Sequence, residues 1–84
     1  MASVKWTDGA LADLDRIDAA IARRIVEKVT WFEGNFHSVV LEKLGWSLRG
    51  LYKLRVGDYR IIYTLRAEII TIEAVRHRRE VYSQ

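Results

Sequence analysis

The stretch that most restricts the fold is LYKLRVGDYRIIY, residues 51–63. Apolar side chains alternate with other residues on both sides of Gly57 and Asp58, a pair suited to a two-residue primed hairpin turn with glycine first. A turn there pairs Val56 with Tyr59, Arg55 with Arg60, Leu54 with Ile61 and Lys53 with Ile62. Tyr52, Leu54, Val56, Tyr59, Ile61 and Tyr63 then share one apolar face, which must be covered. The other face carries Lys53, Arg55 and Arg60. Like charges directly opposite across two strands destabilise a sheet, so this face needs a reason. Strand geometry sets Lys53 and Arg55 about 7 Å apart on one side. Three cations converging there call for an anion, and phosphate suits the arginine fork. The competing explanation is a solvated face whose long stems lie over apolar neighbours.

The alternation starts at Leu48 and places strands over residues 48–56 and 59–65. A third strand is expected over 68–75, EIITIEAV, after a turn at Arg66 and Ala67 with poor turn chemistry. That register adds Ile70, Ile72 and Ala74 to the core face. It also sets Glu73 opposite Arg60, where an ion pair would neutralise one cation. The tail from Arg76 onward is expected to leave the sheet.

Upstream, SVKW at residues 3–6 reads as a short strand, with Thr7 or Asp8 able to cap a helix. Leu11, Leu14 and Ile17 form its apolar stripe. Asp18 can cap a second helix, in which Ile21, Ile25, Val26, Val29 and Phe32 recur at helical spacing. Gly34 or Asn35 suits a left-handed cap at its end. Residues 36–47 read as a loop with one helical turn. The expected fold class is α+β: a short N-terminal strand, a helical hairpin, then an antiparallel three-strand meander.

A chain of 84 residues, half of them hydrophobic, suits one domain over 1–84. It has no cysteine, which points to a reducing compartment and cytoplasmic residence. No apolar run approaches a membrane span, and the first residues lack the pattern of a signal peptide. The two histidines, His37 and His77, are far apart and have no cysteine companions, so neither a metal nor a cofactor is expected. Charge is uneven. Residues 1–46 hold six basic and seven acidic side chains; residues 47–84 hold eight and four, and seven of those eight cations are arginine. Nucleic acid is the first partner to consider. The tail HRREVY, residues 77–82, adds a histidine that titrates near neutrality and a tyrosine able to stack on an unpaired base.

Together, LRGLYKLRVGDYRIIY (48–63) and VRHRREVY (75–82) resemble the RelE family of toxins, within the RelE/ParE superfamily. The resemblance covers nearly the whole chain and implies the RelE-like microbial ribonuclease fold. It also implies a type II toxin–antitoxin toxin that cuts messenger RNA in the ribosomal A site. The partners implied are the ribosome with its mRNA and a cognate antitoxin, RelB-like and acidic; DNA is met only through the antitoxin complex. By position, Lys53, Arg55, Arg60, Arg78 and Tyr82 match the family's catalytic residues. Lys53, Arg55, His77 and Tyr82 are the expected substrate contacts, and His77 falls where members carry histidine or lysine. Many members have glycine where this chain has Arg76. Two alternatives share the fold: a ParE-like poison of DNA gyrase, and a catalytically degenerate partner of an antitoxin.

Overall fold

The computed structural model describes residues 1–45 and 50–79. Strand β1 (Ser3–Trp6) leads into helices α1 (Asp8–Asp15) and α2 (Ala19–Gly34) and a 3-10 turn over Phe36–Ser38. Four strands follow: β2 (Glu42–Lys43), β3 (Tyr52–Val56), β4 (Tyr59–Arg66) and β5 (Ile69–His77). They form one sheet in the order β1-β5-β4-β3-β2, with β1 parallel to β5 and the remaining neighbours antiparallel. The α+β class and the meander are as expected.

Both helices begin where the sequence placed caps. The Thr7 side chain accepts a hydrogen bond from the Ala10 N–H, and Asp18 accepts one from the Ala20 N–H. Each bond satisfies a donor that a helix start leaves unpaired. The end of α2 differs from expectation. Asn35 follows at φ −122°, outside the left-handed region, and its side-chain amide donates to the Trp31 carbonyl at 2.8 Å. The chain then tightens into the 3-10 turn.

Helices and sheet meet over Ile25, Val29 and Phe32 of α2 and Ile61, Tyr63, Ile70, Ile72 and Val75 of the sheet, all buried. Ile25, Val29 and Phe32 lie at i, i+4 and i+7, one face of a helix. On α1 the buried stripe is Ala10 and Asp13, flanked by half-buried Leu14 and Ile17. Leu11, expected inside, is exposed, as is Val26.

The β3–β4 register is the one read from the sequence, with Gly57 at φ +57° in the turn. The β4–β5 connection is not. The turn lies one residue later, at Ala67 and Glu68, with Ala67 at φ +54°. A bulge at Glu73 then adds one further residue of offset, so Tyr63 pairs with Ile72 but Ile62 pairs with Ala74. Ile70 and Ile72 keep the core face; Val75 takes the place expected for Ala74. The strand also runs on through Arg76 and His77, where the tail was expected to leave. Among the described residues, no helix is long and apolar enough to cross a membrane.

Candidate functional site

The helix-free face of the sheet collects the cations. Arg55 pairs with Arg60 across β3 and β4, and Arg60 pairs with Arg76 across β4 and β5. Three arginines therefore lie in one row across three strands, about 5 Å apart from strand to strand. Lys53 stands one level further along β3, opposite Ile62 on one side and Glu42 on the other. Arg60 is thus opposite Arg76, and Glu73 has been moved away by the bulge.

The row survives because carboxylates from outside it hold its two ends. Arg55 Nη2 donates to Glu42 Oε2 at 3.1 Å. That bond, above all, holds the Glu42 carboxyl below its ordinary value; the charges of Arg55, Lys53 and Arg60 add to it, against a smaller opposing effect of burial. Lys53 also stands opposite Glu42 in the register of β2 and β3. At the other end, Asp13 of α1 accepts from Arg76 Nη1, from the Val75 N–H at 2.9 Å and from Arg16 Nη2 at 2.6 Å. β1 pairs only with residues 69–72 of β5, so beyond them α1 covers the β5 edge and Asp13 pairs its backbone. An open edge would otherwise present unpaired groups.

Arg60, the centre of the row, is held differently. Its Nη1 donates to the carbonyls of Tyr59 at 3.1 Å and Gly57 at 3.3 Å. The residue is only 8% exposed, and its Nε is buried with no hydrogen-bond partner among the described residues. A buried unpaired donor on a permanent cation is costly; an anion on this face would offset the charge of the row, not the missing hydrogen bond.

The remaining sequence candidates are distributed as follows. His77 pairs with Tyr59, and the two rings meet edge to face at 5.4 Å. Tyr59 packs against the core, so His77 belongs to the helix side and not to the face of the row. Its Nδ1 accepts from the Arg79 N–H at 3.2 Å. Arg78 leaves the strand end with its N–H bonded to the Asp58 carbonyl at 2.7 Å, and its guanidinium lies 3.9 Å from the Asp58 carboxylate. Asp58, His77, Arg78 and Arg79 line one hollow beside the β3–β4 turn. Tyr82 lies outside the described residues, as does the expected strand start at Leu48. Burial pushes the Tyr63 hydroxyl up to about 12, with Tyr52 and Glu42 adding to the effect, so it stays protonated inside the core.

Three residues of this constellation escaped the sequence. Arg76 was hidden by the bulge: the expected alternation, with Ile70, Ile72 and Ala74 inward, carries it to the core face, and only the extra residue at Glu73 turns it outward. Asp13 had a signal too, a carboxylate inside the stripe that Ala10, Leu14 and Ile17 define. Glu42 had none, because a two-residue strand has no period.

The comparisons with known proteins agree with this fold. The family model described as ParE toxin of type II toxin-antitoxin system, parDE, matches residues 4–82. The toxin–antitoxin complex RelBE2 from Mycobacterium tuberculosis contains a chain 25% identical to this one, with a TM-score of 0.77 over 90% of this chain and 96% of that one. A chromosomal ParDE system from P. aeruginosa gives 21% identity and 0.73 over 92% and 96%. The RelB–RelE complex from Methanococcus jannaschii gives 22% and 0.71 over 92% and 93%. No curated protein matches the sequence. RelE-type and ParE-type solved structures thus share this fold. The chain belongs to the ParE toxin family, within the RelE/ParE superfamily of type II toxin–antitoxin toxins.

Proposed function

We propose that this toxin is a ribosome-dependent mRNA endoribonuclease acting in the cytoplasm, held inactive by an acidic RelB-like antitoxin. The observation that supports this best is the Arg55–Arg60–Arg76 row, three guanidinium groups side by side on the open face of the sheet. A surface that gathers permanent, planar cations in one row suits an oxyanion. Lys53 beside the row supplies a further cation.

The reaction follows from the substrate. The ribose 2′-oxygen attacks the adjacent phosphorus, the bond to the 5′-oxygen breaks, and a 2′,3′-cyclic phosphate and a 5′-hydroxyl result. The nucleophile is part of the RNA, so the protein has three tasks: alignment, charge stabilisation and the movement of two protons. Arg60 stabilises the added charge on the phosphoryl oxygens. Arg55 binds the flanking backbone once Glu42 gives it up. Lys53, in its neutral amine form, takes the 2′-hydroxyl proton and becomes an ammonium beside the row. Arg78 stands beyond the row and assists the leaving oxygen, and Tyr82 orients a base by stacking. His77, expected as a substrate contact, pairs with Tyr59 on the other side of the sheet and lines a hollow with Arg78, so we assign it no contact to the phosphate on the row.

The matched family model favours a second reading, a gyrase poison on the same fold. Primer extension on transcripts after induction separates the two when run beside a supercoiling assay. Cuts at in-frame positions with unaffected gyrase support the nuclease. Intact transcripts with inhibited supercoiling overturn it.

A further inference from the structure

We infer that the open face also holds a nucleobase site, next to the arginine row, that selects a base presenting hydrogen-bond donors, guanine above all; this rests on the reading of the row as an RNA-phosphate site. Leu51, Ile62, Thr64, Glu73, Ala74 and Arg76 line a hollow of about 440 Å³. Ile62 and Ala74 face each other across β4 and β5 and give it an apolar floor. Arg76 closes the end nearest the row, and a guanidinium plane stacks on bases. The floor lies one level, about 7 Å, from the row. A nucleotide with its phosphate on Arg60 therefore sets its base over the floor.

Glu73 supplies the selectivity. It is the extra residue of the bulge, which brings two consecutive side chains, Glu73 and Ala74, to one hollow. Bulges re-aim side chains in this way and are common beside active sites. Thr64 Oγ1 donates to Glu73 Oε2 at 3.1 Å and so fixes the carboxylate in place. An ionised carboxylate only accepts hydrogen bonds. Guanine offers it two adjacent donors, N1–H and the 2-amino group. Adenine and cytosine offer one amino group each. Uracil offers one imino group between two carbonyl oxygens that repel the carboxylate. The bulge is therefore the device that turns a general phosphate-binding face into one that reads a base.

The test is an amide-NMR titration of the isolated protein with GMP, UMP and inorganic phosphate. Phosphate should move the amides of the row only. GMP should also move those of Ile62, Thr64, Glu73 and Ala74, and bind about tenfold more tightly than UMP. Glu73→Gln, isosteric at an exposed position, should abolish that preference, and Thr64→Val should weaken it. Equal binding of GMP and UMP, or an undiminished preference in Glu73→Gln, would overturn the base site. The readout needs no ribosome, so cleavage without base preference condemns this site alone. Absent cleavage condemns the nuclease reading and leaves the titration to judge the hollow.

Discussion

The two faces of the sheet are built from the same strands and obey opposite rules. Toward the helices, Ile61, Tyr63, Ile70, Ile72 and Val75 are buried against Ile25, Val29 and Phe32, with Phe32 and Tyr63 ring centroids 5.2 Å apart. Each such side chain contributes about 1.5–3 kcal/mol through burial. On the far side, the same alternation presents Arg55, Arg60 and Arg76 in a row that opposes folding. The helix-side face holds the molecule together and can carry the cost of the other. The outer arginines are tethered by Glu42 and Asp13, while the central one has a donor without a partner among the described residues. Stability and candidate chemistry are thus separated by a single residue step along each strand.

That separation can be broken from either side. Phe32→Ala should cost about 3–5 kcal/mol in denaturant unfolding; at permissive temperature its single-turnover cleavage should stay near wild type. Asp13→Ala should cost about 1–3 kcal/mol, because the Val75 N–H loses its acceptor at a buried edge. It should also free Arg76, so RNA affinity should not fall with stability, a divergence that parallel unfolding and binding titrations would detect. Arg55→Ala should flatten the salt dependence of RNA binding by less than about one unit of slope, since repulsion from Lys53 and Arg60 is relieved as the contact is lost.

The smallest effect concerns pH. Glu42 has a folded-state pKa below its ordinary 4.5. Its contribution is therefore complete above that value and disappears as pH falls through the depressed folded value. The pair is half-exposed, so the contribution should stay below about 1 kcal/mol. Unfolding of wild type and Glu42→Gln compared at pH 7 and pH 3 should show a small gap that closes in acid. A gap that widens in acid would reverse the sign of the Arg55–Glu42 interaction.

The legible parts of this molecule are those governed by period and cap. Alternation on both sides of Gly57-Asp58 set the Arg55–Arg60 pair without further information, and Thr7 and Asp18 marked the helix starts through the donors they satisfy. Two irregularities hid the rest. A turn on Ala67, a non-glycine residue at positive φ, moved the pairing of the next strand by two positions, so Ile70 and Ile72 kept the expected face with different partners. The bulge at Glu73 then moved it by one more, and Glu73 lost its place opposite Arg60 to Arg76. The same register put His77 on the helix side, although Arg76 before it belongs to the basic face. Glu42 and Asp13 reach the row through tertiary contacts, and tertiary contacts leave no local period.

The central claim is that the open face, with Arg60 at its centre, performs the chemistry. Single-turnover cleavage of mRNA on programmed ribosomes tests it most directly, with wild type compared with Arg60→Lys and Arg60→Ala. Lysine keeps the charge and loses the fork; circular dichroism establishes that each variant is folded. Wild type should cut. Both variants should bind the ribosome yet cut at least about 100-fold more slowly, the scale of losing one preorganised donor. Cutting at the wild-type rate by folded Arg60→Ala would contradict the account and place the chemistry elsewhere.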